Sequence, residues 1–264
     1  MTDLDAVRGA AFGPERQDEA GVATKPVTLV QFPHVWGRNI SPFALKLEAW
    51  LKLADIPFTV RTSTRFGKAP KGKLPYILDE GRPIGDSTLI IEHLKATRGI
   101  DPDESLGPPE RAQALALQRL VEEHLYFAVV YSRWVDEEGW PLFADAVFGR
   151  LRQPLRRAGE FWYREHVRKM LHLQGLGRHS RDEIYALARA DLEAMAELLG
   201  DKPFFMGDRI TTVDAVAYGC LANILLVPLE TELKRIAAGL PSLGAWCEAM
   251  EQGLRSDSEG SGSP

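Results

Sequence analysis

Val27-Thr28-Leu29-Val30-Gln31-Phe32, an eight-residue loop, and then Ser41-Pro42-Phe43-Ala44-Leu45-Lys46-Leu47-Glu48 make up the stretch that decides the fold. The first six residues read as a short buried strand. In the second run Ser41 stands where a helix cap belongs, and Pro42 takes the first helical position, where its fixed φ suits a helix start. Phe43, Leu47, Trp50, Leu51 and Ala54 then repeat at helical spacing as an inner stripe. Such a start presents unpaired N–H groups and a partial positive charge, which is where a thiolate or carboxylate is held. Two further pieces follow. Leu74-Pro75-Tyr76 can expose extended backbone to a peptide ligand, and Asp86-Ser87, at a second helix start, can take that ligand's far end.

Working outward, Phe58 to Thr62 reads as a second strand, and Tyr76 to Leu78 with Arg82 to Ile84, flanking Asp79-Glu80-Gly81, as a hairpin. Leu89, Ile90, Ile91 and Leu94 mark a helix beginning near Asp86 or Ser87. The order β-α-β, an irregular stretch, then β-β-α is that of a thioredoxin-like α/β domain, placed at 26–98. Residues 99–109, with Pro102, Gly107, Pro108 and Pro109, form a linker by composition. An all-helical domain is expected over 110–252, with helices to about Trp134, from Arg181 to Leu199, Thr211 to Leu226 and Leu243 to Glu251. The aromatic-rich stretch after Trp134 reads as less regular. Residues 1–25 are expected to be a flexible extension and 253–264 a disordered tail, too polar to bury.

The chain has 264 residues, 45% of them hydrophobic and 26% charged, with a net charge of −5, which argues against a general nucleic-acid binder. Cys220 and Cys247, the only cysteines, lie in apolar helical stretches and read as buried filler, which fits a reducing cytoplasm. No apolar leader opens the chain, and the run Val213 to Leu229 is broken by Asp214, Asn223 and Pro228, so it reads as a buried helix rather than a membrane span. The six histidines lack metal-ligand spacing, and no metal is expected. Neither a phosphate-binding Gly-rich loop nor a G-x-S-x-G elbow is present. From Arg150 to Arg181, nine Arg and Lys stand against Glu160 and Glu165, a balance of +7 that leaves −12 for the rest. Such a segment draws an acidic ligand or an anionic membrane, or else it is a solvated face paired with Asp136-Glu137-Glu138.

With Ser41-Pro42-Phe43-Ala44, Leu74-Pro75, Asp86-Ser87 and Thr211-Thr212-Val213-Asp214 in hand, the chain resembles the glutathione transferase superfamily. Ser41 to Glu48, Lys71-Gly72-Lys73-Leu74-Pro75 and Gly177-Arg178-His179-Ser180 look like its failed-axon-connections and metaxin-related branch. The resemblance implies a cis Leu74-Pro75 bond, with Leu74 offering its backbone to the cysteinyl part of glutathione. It also implies Asp86 and Ser87 on the γ-glutamyl end, and Lys71 or Lys73 near the glycyl carboxylate. Relatives with Cys-Pro-Phe use the thiol for redox work. Here the hydroxyl of Ser41 is the candidate catalytic group, donating to the glutathione thiolate, unless Ser41 is only an N-cap and His34, Trp36 or Asn39 takes over. His34, Trp36, Tyr126, Tyr131 and Arg133 are the candidate wall of a second-substrate pocket. The implied activity is addition of the glutathione thiolate to a small electrophile, a detoxification chemistry, with a homodimer as a possible assembly. The alternative is a non-catalytic adaptor of the same fold holding a protein or an anionic membrane surface.

Overall fold

The computed structural model describes residues 25–259 apart from 66 and 68. The expected extension therefore lies outside the described residues, except for its last residue, Lys25. Four strands, β1 (Val27–Gln31), β2 (Phe58–Thr62), β3 (Tyr76–Asp79) and β4 (Arg82–Gly85), form one mixed sheet in the order β2-β1-β3-β4. β1 runs parallel to β2 and antiparallel to β3, with Leu29 opposite both Val60 and Ile77. Parallel pairing needs a crossover, and α1 (Pro42–Leu53) supplies it. β3 turns into β4 at Glu80-Gly81, both at positive φ (50° and 82°), the geometry of a two-residue hairpin turn. α2 (Ser87–Arg98) closes this half. Its inner line is Ser87, Ile90, Ile91 and Leu94, at helical spacing, and this turns Leu89 outward to 50% exposure, against its expected place in the stripe.

The helical half opens with α3 (Pro108–Leu120), passes through a π turn at Val121–Leu125, and continues as α4 (Tyr126–Trp134). The stretch expected to be irregular is instead mostly helix, α5 (Trp140–Phe148) and the twenty-residue α6 (Leu155–Gln174). No side chain caps α6, and its outward face carries aromatic and aliphatic residues, so its apolar period points to the exposed side rather than the buried one. α7 (Arg181–Leu199), α8 (Thr212–Leu225), α9 (Glu232–Ala238) and α10 (Pro241–Glu259) follow. α10 runs past the expected end at Glu251, because Met250 and Leu254 carry its buried line onward, so 253–259 is helix rather than tail.

α8 is the hub, buried from Val213 to Ile224. Thr211 and Asp214 form the expected box, with the N–H and the hydroxyl of Thr211 each donating to Asp214 at 2.8 Å and the Phe205 N–H at 2.9 Å. At Gly219 the helix meets α1 backbone to backbone. A Cβ there would stand 2.5 Å from the Pro42 carbonyl oxygen and 2.9 Å from the Lys46 nitrogen.

Candidate functional site

The site is built where α1 and α2 begin. Ser41 is the N-cap of α1, in extended backbone, and its Oγ accepts from the Ala44 N–H at 3.4 Å. Asn39, fully buried, fixes the approach to that cap: its Oδ1 accepts from the Ser41 N–H at 3.0 Å and its amide donates to the Phe32 carbonyl at 2.9 Å. Asn39 is thus committed to the loop. The same loop makes a tight turn at Trp36 and Gly37, both at positive φ, closed by bonds between Val35 and Arg38. His34 is exposed beside it, its Nε2 3.0 Å from Glu48, which also takes the amide of Gln31.

Leu74-Pro75 is cis. Asp86 caps α2 through Oδ1, which accepts from the N–H groups of Thr88 and Leu89 at 3.1 Å each. Its backbone sits at φ 82°, ψ 120°, a conformation that costs free energy in a non-glycine residue and that clusters at binding sites. Ser87 is buried, and its Oγ accepts from the Lys46 ammonium at 3.4 Å. Lys73, exposed, ends the 3-10 turn of Pro70–Gly72.

Lys46 was not foreseen as a site residue. Its side chain is 2% exposed, and its three donors reach Ser87, Thr88 Oγ1 at 3.0 Å and Glu122 Oε1 at 2.7 Å. Glu122 lies on the π turn, 7% exposed, and its other oxygen accepts from Gln118 at 2.8 Å. Burial pushes the ammonium below the usual lysine range, against the upward pull of Glu122. The signal was in the sequence: position 46 stands three residues after Phe43 and four before Trp50, inside the buried stripe, where a lysine needs a counter-charge.

Beside this pair lies a cavity of about 10 Å³, room for one water, lined by Pro42, Phe43, Lys46, Glu122, Tyr126 and Cys220 among others. The Tyr126 ring tilts over Phe43 with centroids 4.8 Å apart, and burial raises its phenol above the ordinary tyrosine range. Ser41, Ser87 and Tyr126 are therefore linked through the first turns of α1. The other wall candidates have partners of their own. Tyr131 packs edge-on against Tyr185, and Trp36 faces Phe143 at 6.5 Å. Arg133 is fully buried and spent on structure: it donates to the Ile40 carbonyl at 2.6 Å, the Asn223 side-chain oxygen at 2.8 Å and the Asn223 carbonyl. Burial lowers it to about 10, so it stays a cation. Both cysteines are buried, and burial pushes their thiols up to about 12. Much of the basic segment is internally paired. Arg164 reaches Glu137 and the carbonyls of Trp134 and Val135, Arg181 reaches Asp136 and Glu138, and Arg156 reaches Asp145 and Glu160.

Two family models match the chain, one described as a glutathione S-transferase N-terminal domain over residues 42–139 and the other as a glutathione S-transferase C-terminal domain over 188–250. Isoprene-epoxide–glutathione S-transferase of Rhodococcus sp. (strain AD45) is 37% identical over 211 residues, 77% of this chain and 89% of that one. Failed axon connections of Drosophila melanogaster is 32% identical over 199 residues, and there the match spans 70% of this chain but only 47%, about half, of the relative. Among solved structures, a glutathione S-transferase from Methylobacterium radiotolerans in complex with glutathione sulfonate superposes with a TM-score of 0.55 at 19% identity, covering 88% of this chain and 94% of that one. At that identity the likeness is one of fold.

Proposed function

The chain belongs to the glutathione S-transferase family, and from that premise we propose that it binds glutathione at the starts of α1 and α2 and adds its thiolate to a small electrophile of the epoxide class. The observation that carries the reading is the pairing of two capped helix starts through one buried cation. Lys46, from the second turn of α1, donates to Ser87 and Thr88 in the first turn of α2. An ammonium only donates, so Ser87 Oγ accepts from it and keeps its own proton for a ligand carboxylate. The N-terminal N–H groups of α1 and the Ser41 hydroxyl then favour the thiolate over the thiol. The thiolate attacks one ring carbon, the C–O bond at that carbon breaks, and the alkoxide takes up a proton equivalent to the one the thiol gave. Positioning and thiolate stabilisation are the protein's contribution.

A second reading, an adaptor without turnover, is favoured by the similarity to Failed axon connections and by Ser41 acting as a cap. Calorimetric titration with glutathione separates the two. Saturable binding is expected, and Ser87→Ala should weaken it by roughly one to two decades, the loss of a hydrogen bond to a charged group of about 1.5–3 kcal/mol. No saturation at millimolar glutathione refutes the transferase reading. Ser41→Ala, with thiolate absorbance followed against pH, tests whether the hydroxyl shares in ionising the bound thiol.

A further inference from the structure

A glutathione site leaves the surface of α6 unexplained. Of the eleven large apolar side chains exposed among the described residues, seven fall between Leu142 and Leu173. Four are on α6: Leu155 (68% exposed), Phe161 (72%), Trp162 (60%) and Leu173 (68%). The steps from Leu155 to Trp162 and from Trp162 to Leu173 are seven and eleven residues, each a near-whole number of helical turns, so these three form one ridge along the helix, with Phe161 beside it. The opposite side holds Val167 and Leu171 in the core. A ridge of this kind marks an interaction surface.

The charges on the helix say which. Its acids are neutralised locally, Glu160 by Arg156 at 2.7 Å and Glu165 by Arg168 at 2.6 Å. Lys169 is exposed, forms no ion pair among the described residues and stands seven residues after Trp162, in line with the ridge. Arg152, just before the helix, is likewise exposed and unpaired among the described residues. An apolar ridge with an unpaired lysine in line and an unpaired arginine just before it fits a surface that is apolar below and negative above, which is an anionic bilayer at its headgroup boundary. No described helix is long and apolar enough to cross a membrane, so the contact would be a docking one.

We propose that α6 docks on an anionic lipid surface, with Leu155, Trp162 and Leu173 entering the acyl boundary and Lys169 and Arg152 against the lipid charges. The test is co-sedimentation of the full chain with phosphatidylcholine vesicles, with and without about one-third phosphatidylserine. Binding is expected only to the anionic vesicles and should fall as salt rises, since the screening length is about 8 Å at physiological ionic strength. Lys169→Glu should lower it about fivefold or more and Trp162→Ser at least about tenfold. Both side chains are exposed, so circular dichroism and glutathione titration should stay as in wild type, which keeps this outcome separate from that of the glutathione site. Equal sedimentation with both vesicle types, or wild-type binding by Trp162→Ser, overturns the proposal. So does a dimer in analytical ultracentrifugation that Trp162→Ser splits while no vesicle is bound.

Discussion

Removing the Lys46 side chain should cost more than removing Lys46 and Glu122 together. The pair is buried, at 2% and 7% side-chain exposure, with 2.7 Å between Nζ and Oε1. Lys46→Met leaves Glu122 desolvated, with only Gln118 at 2.8 Å and Arg119 at 3.8 Å to offset its charge. Breaking a buried pair from one side costs about 3–5 kcal/mol, whereas replacing both members with apolar groups of similar size is often close to neutral. With Gln118 still in place, the single variant is expected near the lower limit, about 3 kcal/mol, and Lys46→Met/Glu122→Leu within about 1 kcal/mol of wild type. Urea unfolding at neutral pH reads this directly, as a lowered midpoint for the single variant at constant slope. Glutathione affinity supplies the second axis. Both variants strip the donor from Ser87, so both should lose about tenfold in Kd, about 1.4 kcal/mol, although only one is unstable. A double variant as unstable as the two single changes summed would refute the ion-pair reasoning. Recovery of affinity in the double variant would refute the role given to Lys46 at Ser87.

Three other expectations follow from the same geometry. Gly219→Ala sets a Cβ against backbone atoms of α1, so the helices must part; thermal unfolding should show a loss of about 1–3 kcal/mol, and an unchanged Tm would mean that the close approach does not matter. Asp79 is partly desolvated, which raises its pKa, but bonds from His93 at 2.8 Å and Arg98 at 2.6 Å outweigh this and hold it below the usual carboxylate value of 3.8. The advantage of wild type over Asp79→Asn should therefore be full above about pH 4 and vanish as pH falls through the depressed folded value, and a difference in denaturant midpoint that is flat across that range contradicts it. Cys220 and Cys247, with thiols at about 12, should resist an aromatic disulfide reagent in the native protein and react only in urea, so rapid native labelling of either would show the burial to be wrong.

The parts of the fold legible in the sequence were those with a local signature. The strand Val27–Gln31, the Ser41-Pro42 start, the hairpin over Glu80-Gly81 and the Thr211/Asp214 box each follow from a few adjacent residues whose chemistry admits one backbone path. What escaped was set at a distance. α6 was missed because its outer ridge is apolar and its inner side is lined by arginines such as Arg164, which spends its donors on carbonyls at Trp134 and Val135, so neither face looks like what it is. The resemblance places Arg133 and Tyr131 in a pocket wall, and no local pattern reveals that one bonds Asn223 and the other packs on Tyr185. Lys46 was in plain view within the apolar stripe, but its partner is on the far side of the linker, and a π turn, which no propensity forecasts, brings Glu122 to it.

The fork of Arg133 carries a lesson about dissection. Every residue matched to glutathione precedes the linker, so the first hundred residues look like a self-sufficient binding module. Yet the carbonyl of Ile40, directly before the Ser41 cap, is held by a guanidinium from α4 that also grips Asn223 of α8, and Lys46 finds its counter-charge on the turn between α3 and α4. Cut at the linker, the first half would keep its ligands and lose its aim. Evolution acting on the helical half alone, with no change at the peptide-binding face, can therefore retune how glutathione is held.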